Sequence, residues 1–250
     1  MERRLGHHLG ALSPPAAPSP AAAATGVGLG ARRPPAALAA PCPAAAADGP
    51  HVLVVGATGV VGRAAVEEFE SLGGYTITMV SRRPPAYPTQ HARHLPLDLT
   101  DRAACEAALG SELGASVTHL IYTAIAGVDI ADPEAIEMNT AMLRNTLEPL
   151  ESAPGSRLQH ISLMQGRKAY AGNEPAELLW PLKERHPRHD TEPNWYFTQE
   201  DLLQELQAAR SDTSWRWTVW RPPTVLGFVP GAPLSMVAAV GVCACSLCVL

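Results

Sequence analysis

Three glycines at GxxGxxG spacing, Gly56, Gly59 and Gly62, close a short apolar run and open an amphipathic one; no other part of the chain restricts its fold so tightly. The stretch reads HVLVVGATGVVGRAAVEEF over residues 51–69. Gly56 lets the chain turn sharply, Gly59 lets backbone amides approach a pyrophosphate, and Gly62 lets helix and strand pack closely. The helix that starts there directs its positive dipole end at the anion. A glycine pattern alone carries little weight, but this one lies between a strand and a helix and precedes a second strand at 75–80, the context that a dinucleotide turn requires.

From residue 50 onward, strands and helices alternate. The pattern predicts strands at 51–55, 75–80, 93–97, 117–122, 157–162 and 215–220, and helices near 60–71, 101–109, 133–150 and 196–209. Such alternation specifies an α/β fold, a doubly wound parallel sheet of the Rossmann type with crossover helices on both faces. One nucleotide-binding domain is expected over 50–233.

The flanking segments are of other material. Residues 1–49 hold sixteen alanines and eight prolines with no hydrophobic period, a composition expected to stay disordered. Arg3, Arg4, Arg32 and Arg33 against only Glu2 and Asp48 would suit a transit peptide to plastid or mitochondrion; a low-complexity extension of a cytoplasmic protein is the other reading. Residues 234–250 are seventeen in a row without a charge, short of the ~20 that a membrane span needs. A buried helix is expected there, and no membrane partner.

Charge and cysteine content narrow the function classes. The net charge is −5 and no basic block occurs, which argues against nucleic acid as a partner. The five cysteines are an odd number, three of them in CACSLC at 243–248 without a His or Asp. Small buried thiols are expected there, with neither a disulfide framework nor a metal site.

After the second strand comes SRRPP, and no carboxylate stands between Glu70 and Asp98. An acid at that strand end would bind a ribose 2′-hydroxyl; its absence beside Arg82 and Arg83 favours a 2′-phosphate, hence NADPH over NADH. Asp98, after the third strand, is expected at the adenine. The helix-borne Tyr-x-x-x-Lys pair of many short-chain dehydrogenases and epimerases is absent: Met164 stands four residues before Lys168 and Leu179 four before Lys183, and the chain has no other lysine.

The segments LQHISLMQGRKAY (158–170), NWYFTQEDLLQEL (194–206) and WRPPTVLGF (220–228) resemble the progesterone 5β-reductase and iridoid synthase-like family of atypical short-chain dehydrogenases. GATGVVG, SRRPP and MNTAMLRNTL (138–147) fall in the matching order, and the likeness covers about 50–245. It implies NADPH-dependent reduction of the carbon–carbon double bond of a small-molecule enone, with a tyrosine and a lysine from separate motifs serving the developing enolate oxygen. Lys168 matches the family lysine. The family tyrosine is the second of Asn-Phe-Tyr-Tyr, and here that motif reads Asn194, Trp195, Tyr196, Phe197.

Phe197 thus stands where the hydroxyl is expected. Tyr196 would replace it only with the helix turned or the substrate seated differently, since neighbouring helix residues point about 100° apart; otherwise Tyr196 packs against the sheet. The resemblance further carries Thr58, Gly59 and Val60 to the cofactor phosphates, Thr123 and Ala124 to the nicotinamide-side ribose, and Met164, Val225 and Ser235 to the nicotinamide rim. Arg221 and Pro222 are expected to shape the pocket. Family members continue past this chain's last helix, so it reads as C-terminally truncated and of low activity. A non-catalytic NADPH-binding protein and a nucleotide-sugar epimerase are the rival readings, and a homodimer is left open.

Overall fold

The computed structural model describes residues 49–170, 181–188, 192–209 and 215–230. Residues 1–48 of the tail expected at 1–49, the apolar segment 234–250 with its cysteine cluster, and Ser235 lie outside the described residues.

The centre of the molecule is β1 (His51–Val55), where every residue is buried. Its alternating side chains feed two cores. Val52 and Val54 point to one face, where they meet Val66 of α1 (Val60–Leu72) together with Ile77 and Met79. Leu53 and Val55 point to the other, where Leu109, Leu143, Leu147, Leu202 and Leu203 pack. A strand buried on both faces has no polar side, and so HVLVV reads as a continuous apolar run.

The remaining elements are β2 (Thr76–Ser81), β3 (Arg93–Pro96), α2 (Arg102–Leu109), α3 (Glu112–Ser116), β4 (His119–Tyr122), α4 (Pro133–Ser152), β5 (His160–Met164), α5 (Trp195–Ala208) and β6 (Arg216–Trp220). The sheet is parallel throughout, in the order β3-β2-β1-β4-β5-β6. Right-handed crossovers place α1 on one face for the step from β1 to β2. The steps from β3 to β4, β5 and β6 run the opposite way, which puts α2, α4 and α5 on the other. The order in which the chain adds strands reverses between β1 and β4, the switch point at which open sheets of this kind carry a crevice outside the carboxyl ends of the strands. The doubly wound parallel fold read from the sequence is the fold observed.

Several bounds differ from expectation. The fifth strand runs over His160–Met164, not 157–162, because its length is set by pairing with β6, whose Trp220 stands opposite Met164. The preceding residues make single bonds instead, such as Arg157 N to Ala115 O. The fourth strand begins at His119, since Val117 N is spent on Gly114 O at the end of the unforeseen α3. α4 continues through Pro149 to Ser152; its final turn tolerates the proline, whose carbonyl accepts from Ala153 N.

Candidate functional site

The glycine turn stands at the carboxyl end of β1. Gly56 has φ +85°, the left-handed region, and its amide donates to Val80 O at 3.0 Å. A Cβ there would lie 2.6 Å from Thr123 Oγ1 and 2.8 Å from Ala124 N, so the turn is wedged against the end of β4. A Cβ on Gly62 would fall 2.3 Å from Gly56 O, and the helix can approach the turn only because none exists. Gly59 caps α1 without a side chain, and the first turn of that helix carries no acid. The Gly59 amide itself donates to Gly56 O at 3.0 Å, and the first-turn amides that follow it keep unspent donor capacity at the positive end of a 13-residue helix, an arrangement that fits a pyrophosphate. Thr58 is exposed and Val60 half-buried at this spot.

A bracket for the turn comes from a part of the chain that sequence reasoning had placed at the rim alone. Beyond β6 the chain returns to α1, where Phe228 O accepts from Arg63 Nη1 at 3.2 Å and Val229 is buried among Val52, Val54 and Val66. A Cβ on Gly227 would lie 2.3 Å from Val60 Cγ1. Val225 stands on this returning segment, partly exposed. The only advance signal was a glycine within an apolar run.

At the end of β2, Arg82 and Arg83 are exposed side by side. Asp98, also exposed, accepts from Thr100 N at 3.0 Å and Thr100 Oγ1 at 2.8 Å; these bonds, with a smaller contribution from Arg82, hold its carboxyl below the ordinary range. Thr123 Oγ1 donates to Val55 O at 2.8 Å, so only its lone pairs are left for a ligand hydroxyl. The adjoining loop is fixed by Asn139, wholly buried, which accepts from Ala126 N at 2.9 Å and donates to Ala126 O and Ala135 O at 2.7 Å.

Met164 ends β5, and the chain then passes through Gln165 and Gly166 into a single helical turn, Arg167–Ala169, that carries Lys168. This turn meets the start of α5. Gln165 N donates to Trp220 O at 2.8 Å and its Nε2 to Tyr196 O at 2.9 Å. Asn194, the buried N-cap of α5, accepts from Tyr196 N at 2.9 Å through Oδ1 and donates to Lys168 O at 3.1 Å through Nδ2. One amide therefore holds the backbone of both residues of the expected pair. Asn194 and Gln165 were not read as site residues from sequence; an asparagine one position before a helical run was the available signal for the first.

The orientation of α5 sends Tyr196 and Phe197 to different places. Tyr196 Oη lies 3.1 Å from where a Cβ of Gly166 would stand, next to the turn bearing Lys168. Phe197 is buried elsewhere, with the Arg188 guanidinium 5.3 Å from its ring centre. The side chain facing the Gly166 turn is therefore Tyr196. The physical reason is the cap: Asn194 and the bond from Trp195 N to Ile130 O fix the helix phase before the first turn is complete. Burial raises the Tyr196 pKa above its ordinary value, so the phenol keeps its proton at neutral pH and can donate.

Behind Phe197, Glu200 is buried and accepts from Arg188 Nη2 at 3.0 Å and Arg221 Nη2 at 2.5 Å. Arg221 also stacks over the Tyr170 ring at 5.1 Å. Arg221 thus braces α5 against the loops around the site. A cavity of about 410 Å³ opens at the amino ends of the strands, lined by Gly110, Ser111, Pro154 and Arg157 among others. It is on the side of the sheet away from the glycine turn.

Residues 52–240 match the family described as NAD dependent epimerase/dehydratase. The expected resemblance is borne out by curated relatives. An (S)-8-oxocitronellyl enol synthase of Camptotheca acuminata is 32% identical over 209 residues, covering 79% of this chain and 50% of the relative. Another, of Nepeta racemosa, is 34% identical over 202 residues, 74% of this chain and 48% of the relative. The chain spans about half the length of these relatives. Among solved structures, the UDP-glucose 4-epimerase of Bifidobacterium longum in complex with NAD+ and UDP superimposes with a TM-score of 0.54 at 21% identity, covering 68% of this chain and 52% of that one. Among the described residues, no helix is long and apolar enough to cross a membrane.

Proposed function

The chain belongs to the NAD dependent epimerase/dehydratase family, and from that premise we propose that it is an NADPH-dependent reductase of the carbon–carbon double bond of small enones. The observation that carries this reading is the Tyr196 hydroxyl, held at Gly166 beside the Lys168 turn in a chain without Tyr-x-x-x-Lys. The nucleotide-binding domain of this reading spans 50–233.

NADPH, when bound, supplies a hydride to the β-carbon of the enone. The chain's own residues do the rest. The first-turn amides of α1, from Val60 onward, receive the pyrophosphate next to Thr58 and across the bare Cα of Gly59, while Arg82 and Arg83 receive the 2′-phosphate and Asp98 borders the adenine. Thr123 accepts from a ribose hydroxyl, with Ala124 alongside. Met164 and Val225 form the apolar rim of the nicotinamide site. As the β-carbon gains its bond, the π electrons move to the carbonyl oxygen, and Tyr196 Oη donates a hydrogen bond to that oxygen. Such a donor contributes about 3 kcal/mol to the transition state. Lys168 adds positive charge nearby. The α-carbon then takes a proton from water, and enone, NADPH and a proton become the saturated ketone and NADP+.

The names of the enol synthase relatives fit an enol or enolate product and favour this reading over epimerisation of a nucleotide sugar. The test is to incubate the chain with methyl vinyl ketone and NADPH deuterated at the transferable position. Butanone labelled at the β-carbon is expected. Allylic alcohol would mean carbonyl reduction, and NADPH binding without any turnover would favour a non-catalytic binding protein.

A further inference from the structure

Resting on the NADPH reading above, we propose that His94 is a positioning residue for cofactor specificity, setting the backbone of the Arg82–Arg83 turn that meets the 2′-phosphate. β3 pairs with β2 in parallel with Met79 opposite His94 and Ser81 opposite Pro96, and the imidazole reaches along the neighbouring strand to Ser81. His94 Nε2 lies 3.0 Å from Ser81 Oγ and 3.2 Å from Ser81 O. Ser81 Oγ in turn donates to Arg83 O at 2.7 Å.

The direction of this chain of bonds follows from chemistry. A carbonyl oxygen can only accept, so the serine proton is spent on Arg83 O. What Ser81 Oγ and Ser81 O have left is lone pairs, and Nε2 must therefore carry the ring proton that they share. The order is His94 Nε2–H to Ser81 Oγ–H to Arg83 O, with no freedom to reverse. Arg82 and Arg83 are themselves exposed, so their side chains lack a packed wall to orient them. Their starting points are fixed through the backbone, and a fixed turn lowers the ordering cost that a flexible arginine pair incurs on closing around a phosphate. NADH has no 2′-phosphate, so its binding is indifferent to this relay.

The experiment titrates NADPH and NADH against the full chain by nucleotide fluorescence, for the wild type and for His94→Leu, His94→Gln and Ser81→Ala. The wild type is expected to favour NADPH. In His94→Leu the NADPH-to-NADH affinity ratio should fall about tenfold, the size of one well-placed hydrogen bond to a charged group, with NADH affinity unchanged. His94→Gln, which keeps a donor, should retain most of the ratio. Ser81→Ala should match His94→Leu, and the double variant should be no worse than either, because both break one relay. An unchanged ratio in His94→Leu and Ser81→Ala would overturn the proposal, as would an equal fall in both affinities, which would mark a purely structural residue. A wild type with no preference for NADPH would instead overturn the cofactor reading, and this proposal with it.

Discussion

The Asn194 side chain reaches the Lys168 carbonyl with Nδ2 at 3.1 Å, while its Oδ1 accepts from the amide of Tyr196 at 2.9 Å. The helix cap and the alignment of the tyrosine with the lysine turn are therefore the same interaction. Asn194→Ala should lose a cap worth about 1 kcal/mol and the link to Lys168 together. Asn194→Asp keeps the acceptor for Tyr196 N but sets a carboxylate against the Lys168 carbonyl. In urea unfolding the aspartate variant should be the more stable of the two, and in an enone reduction assay both should be slower than wild type. An aspartate variant with wild-type turnover would show that the Lys168 link does not matter.

Restoring the tyrosine that the family motif carries at position 197 should not raise activity. Phe197 is directed at Arg188, 5.3 Å from the guanidinium, and a hydroxyl there would enter the buried region around Glu200. Phe197→Tyr is expected to leave turnover within about twofold of wild type and to lower stability by about 1 kcal/mol, as small overpacking does. Parallel rate and urea measurements check both.

The orientation of α5 was the part of the site that the sequence hid. GATGVVG announced itself because Gly56 and Gly62 each answer to a local steric demand, visible here in their contacts. The arginine pair was legible for the same reason, as a run at a strand end. Which of Tyr196 and Phe197 faces the site depends instead on helix phase, fixed by Trp195 N on Ile130 O and Gln165 Nε2 on Tyr196 O, contacts 65 and 31 residues apart in sequence. The limits of β5 were hidden similarly, since they depend on β6 as partner. The return of Gly227 and Phe228 to α1 had only a glycine in an apolar run as its local signature.

Glu200 should be the most costly side chain to neutralise around the site. It is 6% exposed and faces Arg188 and Arg221, themselves 29% and 19% exposed. Glu200→Gln leaves two guanidinium groups partly buried without their counter-charge, a change expected to cost about 3 kcal/mol. Replacing Asp201, whose bond to Arg188 is far more exposed, should cost under about 1 kcal/mol. Chemical denaturation of the two variants makes the comparison.

Stability should fall on mild acidification. His51 is buried at the amino end of β1 between Ser116 Oγ at 2.8 Å and Thr78 Oγ1 at 2.9 Å; burial first, then Arg93, lower its pKa. His119 is lowered likewise by burial and then by His160. Both bind a proton more weakly when folded than when unfolded, where the value is about 6.5. Between the folded and unfolded values the unfolded chain holds more protons, so stability rises with pH there. It is complete above about pH 7 and is lost as pH falls below about 6.5. Urea midpoints across this range should show the slope, and His51→Gln should flatten it.

The central claim is that Tyr196 donates to the oxygen on which charge develops, and the most direct measurement compares enone-dependent NADPH consumption by the wild type and Tyr196→Phe, with NADPH affinity determined on the same samples. The account predicts unchanged NADPH affinity and a fall in turnover of about a hundredfold, as expected for one lost oxyanion donor. Equal turnover in the two proteins at equal NADPH affinity would contradict it.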